Sequence, residues 1–477
     1  MTKYEKFVPI VLFLYLLVSG FKIISPLPLT YDPALHAEIA TYLIPLSLFP
    51  ITWSPLADVG YTYPPLFHWA AFLFSTSGIA TYKIVMLMGL LLYALFPVSF
   101  YLYGSAFGRI EAMLFSFFGA VQASLMEVFA AGEYPQLLSM NLAVIALYFL
   151  AKKDLPKAGL FAGFVVLSHS FTSIYLAVIL AAYFLISRLT NEKIKSSSAA
   201  AFFLIFIAIS SLWAPRYVQI AENAANSSWE NTIWYHKAGF IGLEQVNNIF
   251  LSVMPGARMG AIFLILSLIG VFYAYKRKFY FQLFVFAFTV LFTVFHIPGT
   301  QYKFSDMLAI AVPPIASFGV LYFMAKTNKT KPYAKIIIAG FFVAMLLAHP
   351  YVNAVNMRNC CVSKDMPNSD EIKSAEWLNA NDAVHSVIVM DSDAEAWFAL
   401  IAGKIPLNPR VSELESFTPA YRQKIADRRT IINLFENSTA LLEKWNVDYI
   451  VTDTNINPAN FRLFHEEGLV KLYKRYV

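Results

Sequence analysis

The sequence predicts a polytopic α-helical membrane protein of about eleven spans, N-terminus inside and C-terminus outside, followed by a small extracytoplasmic α/β domain. Three observations predict it: the composition, a series of apolar runs that stops near residue 350, and the distribution of basic residues. Of 477 residues, 58% are hydrophobic and 14% charged, and the mean hydropathy is +0.57. Soluble domains carry ~25% charged residues. Crossing a hydrocarbon core of ~30 Å takes roughly 20 apolar residues. Runs of that kind recur through residues 1–350, whereas 351–477 has ordinary polar composition and reads as a separate domain.

Lys3 and Lys6 precede an apolar run from Phe7 to Ile24; it is long and lacks a small-residue cleavage site, so it reads as a retained first span. Further spans are expected near 82–103, 112–130, 137–151, 198–215, 259–275, 280–295, 305–325 and 334–350. The run 158–188 is too long for one crossing and is broken by Ser168, His169 and Ser170, so it is expected to form two helices. With the N-terminus inside, sixteen basic residues before the tail fall on the cytoplasmic side and six outside, the asymmetry of the positive-inside rule. Treating 158–188 as a single span would move the Lys276–Lys278 and Lys326–Lys335 clusters outside. The odd count therefore places both the first outer loop, 25–81, and the tail away from the cytoplasm.

The net charge of +6 divides into +9 for residues 1–350 and −3 for the tail. Anionic lipid headgroups account for the cytoplasmic excess, and nothing points to nucleic acid. Cys360 and Cys361 are adjacent, a poor geometry for a disulfide, and no metal-knuckle spacing is present.

The chain's chemistry concentrates in the first outer loop. Residues 30–69 hold Asp32, His36, Glu38, Asp58 and His68 with eight aromatics, six prolines and no Lys or Arg. An amphipathic helix from Pro33 to Leu48, lying in the interface, is expected, followed by a proline-marked return to the membrane at Pro64-Pro65. Asp before Pro is a favoured helix start, and His36, four residues on, is within reach of Asp32. Other ionisable groups fall on the same outer face: Glu127, Glu133 in AAGEYPQ, His169, Arg258 in PGARMG, and His296 and Lys303 flanking HIPGTQYKFSD with Asp306. Charged groups at membrane depth cost ~2.5 to 3.5 kcal/mol on insertion scales, which makes each a candidate for function. Snorkelling to headgroups is the competing role for Lys303 and Arg258, and an interfacial hydrogen bond is the competing role for His36 and His68.

An N-terminal span, a long first outer loop opening on an acidic residue in a D-x3-H setting, and YPPLFH before the second span resemble the GT-C superfamily of membrane glycosyltransferases. GEYPQ between the third and fourth spans is similar to a second acidic motif of that superfamily, and a soluble tail running from SAEWLNANDAVHSVIVM to NVDYIVTD fits its architecture. The resemblance implies a multi-span enzyme taking a sugar from a polyprenyl-phosphate donor on the outer face and passing it to a glycan, lipid or protein acceptor. The chain has a single Asp32 where better-marked branches carry an adjacent acidic pair, and it lacks a WWDYG-type motif. That argues against whole-oligosaccharide transfer to asparagine.

Glycosyl transfer from a lipid phosphate needs a base for the acceptor hydroxyl and cations for the departing phosphate. Asp32 is the candidate base, oriented by His36, and Glu133 completes the catalytic set. Lys303, Arg258 and His296 are candidates for the donor phosphate. Glu38, His68, Tyr63 and His169 are expected nearby, toward the acceptor. If the reaction needs a metal, the oxygen ligands Asp32 and Glu133 would suit Mg²⁺ or Mn²⁺. Two other classes fit a polytopic chain. A transporter or flippase for lipid-linked sugars is expected to show internal repeats and charges near the midplane, and neither is evident; a noncatalytic assembly subunit would scatter these residues.

In the tail, helices are expected at 369–380, 394–402 and 438–445, and strands at 386–390, 449–452 and 470–473. Asp391 and Asp393 end the first strand, a position that suits either a ligand or a helix cap. Asn226-Ser-Ser and Asn437-Ser-Thr match the glycosylation acceptor pattern.

Overall fold

The computed structural model describes residues 7–24, 30, 32–50, 63–213, 216, 239–240, 260–296, 301–327, 340, 344, 367–382, 386–392, 394–408 and 419–476. The chain divides into two compact units. One comprises Met1–Ser25, Gly89–Val218 and Glu230–Cys360; the other comprises Pro26–Met88, Gln219–Trp229 and Cys361–Val477.

The first unit is helical: α1 (Phe7–Ile24), most of α4 (Thr81–Gly104), α5 (Arg109–Ala120), α6 (Ala123–Ala130), α7 (Tyr134–Ala151), α8 (Leu155–Val166), α9 (Ser170–Leu189), α10 (Ser196–Ser210), α11 (Gly260–Lys276), α12 (Tyr280–Val294), α13 (Gln301–Asp306) and α14 (Leu308–Thr327). A two-residue ribbon pairs β1 (Gly239–Phe240) antiparallel with β2 (Phe295–His296). The helix starts follow from local chemistry. Asp154 caps α8, accepting from the Lys157 amide at 3.5 Å. His169 caps α9 by accepting from the Thr172 amide, so the polar break at 168–170 is a helix boundary.

Among the described residues, five helical stretches are long and apolar enough to cross a membrane: Phe7–Ile24, Thr81–Gly104, Tyr134–Ala151, Ser170–Leu189 and Lys303–Lys326. The expected span at 112–130 is α5 and α6, bent by 45° at their junction. The spans expected at 158–168, 198–215, 259–275 and 280–295 are shorter apolar helices of 10–17 residues. The span at 334–350 lies outside the described residues. Leu14, Val18, Leu204, Ile207, Ile265 and Leu268 remain exposed, as lipid-facing positions require.

Around Pro97 in α4, side chains of neighbouring helices bond backbone carbonyls. The Pro97 carbonyl in α4 accepts from Ser116 at 2.8 Å. One turn earlier the Asn141 amide donates to the Leu92 carbonyl at 3.0 Å and accepts from Ser99 at 2.8 Å. The helices α11 and α14 meet backbone to backbone through Gly270 and Gly319: a Cβ at either would strike the Ile315 or Leu266 carbonyl.

The second unit contains α2 (Asp32–Glu38), a π-helical turn (Ile39–Leu43), α3 (Leu66–Ser75), and the tail with α15 (Ser369–Asn381), α16 (Glu395–Ala402), α17 (Pro419–Asn433) and α18 (Thr439–Lys444). Its sheet has strand order β4-β3-β5-β7-β6. Here β3 (Val387–Met390) lies parallel to β4 (Ile405–Pro406) and β5 (Val447–Thr452), while β7 (Val470–Arg475) runs antiparallel to β5 and to β6 (Phe461–Glu467). Ile388 and Met390 pack on one core with Phe398 and Leu378, and Val389 on the other with Ile431 and Phe435. Burial on both faces explains the unbroken apolar run of β3. Asn368 and Glu371 form a reciprocal capping box on α15. The short β4, α17 and β6 are additional to the elements expected from sequence.

Residues 30–43 pack with the tail rather than standing apart from it. Trp397 Nε1 donates to the Thr30 carbonyl at 3.0 Å, and the Tyr42 hydroxyl donates to the Lys404 carbonyl at 2.7 Å. This corrects the expected interfacial helix. Pro33 through Ala40 are all buried, and regular helix gives way to the π turn after Glu38. Periodicity suggested a half-exposed helix because the surface that covers it comes from α16, far along the chain.

Candidate active site

Within the second unit, two segments bring two imidazoles together. Asp32 opens α2 and is half-buried; His36 follows one turn later and is buried. Pro64 and Pro65 lead into α3, placing His68 in its first turn with no exposure. His36 Nδ1 lies 3.2 Å from His68 Nε2, so this nitrogen of His36 engages His68. Tyr63 stands edge-on to both rings, 5.4 Å from each, and Phe67 packs against both. Burial pushes the His68 imidazole down to about 3, so it is neutral at any ordinary pH.

Glu38, the last residue of α2, is fully buried, and neither carboxylate oxygen has a hydrogen-bond partner among the described residues. Burial, and then the Glu395 carboxylate, push its carboxyl well above the usual range, with Lys424 opposing. Glu395 is already engaged: it accepts from the Met390 amide at 3.0 Å, the Asn408 amide at 2.6 Å and Arg428 Nε at 2.8 Å. At the end of β3, Asp391 accepts from the Thr452 hydroxyl, and Asp393 lies outside the described residues.

A second polar group forms within the first unit. Glu133 precedes α7 and pairs with Lys303 at 2.5 Å. Lys303 Nζ also donates to Gln136 Oε1 at 3.1 Å, and Gln136 Nε2 donates to Asp306 Oδ2 at 3.1 Å. Ser139 extends the group: its hydroxyl lies 2.9 Å from that of Thr172, which is 3.2 Å from His169 Nδ1. Asp306, Gln136 and His169 are buried.

The structure thus brings Glu133, Lys303 and His169 into one group, and His36, His68 and Tyr63 into another. Lys303 is a cation ion-paired with Glu133. Arg258 lies outside the described residues; His296 is described only as backbone, paired with Gly239. Sequence reasoning passed over Gln136 and gave Asp306 no role. Both stand three residues from a flagged charge, at the spacing that shares a helix face, and that was the available signal. Among the described residues no three His, Cys, Asp or Glu side chains come together to hold a metal ion.

No protein-family model and no curated protein matches the chain in sequence. Solved structures match it in fold. The archaeal oligosaccharyltransferase AglB from Archaeoglobus fulgidus, in complex with an inhibitory peptide and a dolichol-phosphate, aligns with 95% of this chain and 70% of its own at 14% identity and TM-score 0.53. ArnT from Cupriavidus metallidurans, bound to undecaprenyl phosphate, aligns over 99% of this chain and 98% of its own at 10% identity and TM-score 0.59. The fold is that of the GT-C membrane glycosyltransferases. The arabinofuranosyltransferase AftD from Mycobacteria shares it over 98% of this chain but 40% of its own length, at 13% identity and TM-score 0.57.

Proposed function

We propose that this chain is an inverting glycosyltransferase that moves a sugar from a polyprenyl-phosphate donor to a glycan, lipid or protein acceptor on the outer face of the membrane. The observation that carries the reading is the GT-C fold, held by proteins solved with dolichol-phosphate and with undecaprenyl phosphate. The chain's own residues supply the needed types. In this reading Asp32 takes the acceptor hydroxyl proton as the new bond to the anomeric carbon forms. The bond from that carbon to phosphate oxygen breaks, and polyprenyl phosphate leaves with the electron pair. His36 partners Asp32. Lys303 binds the donor phosphate, with Glu133 and Gln136 holding its ammonium in place beforehand, since a fixed cation stabilises growing charge best. Arg258 and His296 are further candidates for the phosphate, and Tyr63 and His169 for the acceptor.

Donor retention and turnover separate these roles. Asp32→Asn is expected to abolish transfer while polyprenyl phosphate lipid still co-purifies by mass spectrometry. Lys303→Ala is expected to weaken retention of that lipid roughly tenfold, the worth of one charge-assisted hydrogen bond. Full transfer by Asp32→Asn removes the base from the scheme, and undiminished lipid in Lys303→Ala removes the clamp.

A further inference from the structure

Within the second unit, a cleft of about 360 Å³ opens between the first outer loop and the tail, a volume in the range of small-ligand sites. Four stretches far apart in sequence line it: the π-helical turn, the start of α4, the exposed side of α15 and the end of α16. They bring both signs of charge to one place. Lys83 lies over the Tyr82 ring, 5.6 Å from its centroid. Glu376 lines the same cleft, and the two charges do not pair with each other; the Asn379 amide stands one turn after Glu376 on α15. Thr41 lines the cleft as well, and its hydroxyl has no hydrogen-bond partner among the described residues. It forgoes the bond to the carbonyl four residues back that Thr190 and Thr430 make in their helices. Threonine's two helical rotamers exchange hydroxyl and methyl, so this hydroxyl gives up nothing by turning to a ligand.

We infer that this cleft is a subsite for a neutral glycan, holding sugar residues of the acceptor away from the hydroxyl that reacts. The inference deepens the transferase reading and rests on it for the ligand's role as acceptor. An anion would meet Glu376 and a cation would meet Lys83. A sugar hydroxyl is donor and acceptor at once, so a polyol satisfies both without carrying charge, and the Asn379 amide suits it for the same reason. The Tyr82 ring offers an apolar surface to the C–H face of a sugar. The position of the cleft agrees. Thr41 follows Asp32 by nine residues of helical backbone, ~13 Å at 1.5 Å per residue, whereas a base must stand within ~3 Å of the proton that it takes. Tyr82 is edge-on to Trp397, whose Nε1 donates to the Thr30 carbonyl, so the wall of the cleft is tied to the segment that carries Asp32.

The test uses full-length protein in nanodiscs carrying Asp32→Asn, so that bound acceptor is not consumed. The probe is the fluorescently labelled pool of neutral glycans released from the surface of cells deleted for this chain. Retention of glycans is expected, roughly tenfold weaker with Asn379→Ala and at background with Ala380→Trp, which fills the cleft from an exposed helix position. Lys83→Gln and Glu376→Gln keep a polar group and remove a charge, and each is expected to weaken retention only ~2- to 5-fold. No retention by the Asp32→Asn protein, or equal retention with Ala380→Trp, overturns the inference. So does retention abolished by Lys83→Gln and raised by Glu376→Gln, the mark of an anion, or displacement of the glycans by glycerophosphoethanolamine, the mark of a zwitterionic lipid headgroup. Should Ala380→Trp fail to fold, Asn379→Ala and the two charge variants decide. With Asp32 restored and the cells' own polyprenyl-phosphate lipid extract as donor, Ala380→Trp is expected to raise the acceptor KM ~10- to 100-fold at retained kcat. Transfer at an unchanged acceptor KM removes the subsite and leaves the transferase reading standing. Glycans held through the cleft but never glycosylated remove the transferase reading and leave the subsite.

Discussion

Glu38 is the residue whose surroundings are least ordinary. A carboxyl with no exposure and no hydrogen-bond partner among the described residues, facing another carboxylate, is stable only when neutral. Its carboxyl titrates higher in the fold than in the unfolded chain, where the ordinary value is ~4.3. The unfolded chain therefore releases this proton first as pH rises. The stabilisation is fully present below the ordinary value and is lost on passing upward through the raised one, at about 1.4 kcal/mol per pH unit between the two. Glu38→Gln is expected to match the wild type in thermal stability at acidic pH and to exceed it increasingly toward neutral and alkaline pH. Parallel melting curves at all pH values would show that Glu38 is not held neutral.

Among the elements, the contact of α11 with α14 depends on two glycines on facing surfaces. Because a Cβ on Gly319 strikes the Leu266 carbonyl, which is backbone, no rotamer change relieves the clash and the helices must separate. Gly319→Val is expected to destabilise by about 1–3 kcal/mol, the ordinary cost of overpacking. Ser267→Ala, on the facing helix α11, serves as control. The Ser267 hydroxyl is buried and has no hydrogen-bond partner among the described residues, so its loss should leave the melting temperature unchanged or raised. Equal melting temperatures for Gly319→Val and the wild type would mean that the helices are not packed as closely as this.

At the scale of the whole molecule, the charge asymmetry makes a prediction about sidedness. The Lys276, Arg277 and Lys278 turn is expected inside, and the exposed Arg462 on β6 outside. With both native cysteines replaced, Lys278→Cys should label with an impermeant thiol reagent only after the membrane is opened, and Arg462→Cys should label in intact cells. The reverse pattern would invert the topology and place the proposed chemistry on the wrong face.

The sequence by itself determined the features that depend on near neighbours. Apolar run lengths gave the helices, Ser168 to Ser170 marked a break that became a capped boundary, and the apolar VIVM run read as a buried strand because a strand covered on both faces has no polar positions. Which side chains would meet was decided by the tertiary structure. His36 and His68 are 32 positions apart, Glu133 and Lys303 170, and Tyr42 and Lys404 362. The physical reason is that hydrophobic periodicity reports a residue's local face. Ion pairing and imidazole tautomers depend instead on which distant surface is brought against that face. The sequence therefore picked out Glu133 and Lys303 separately, and the fold made them partners. It likewise presented the first outer loop as a surface helix, because nothing near Pro33 to Ala40 announces that a segment more than 350 residues later will bury it.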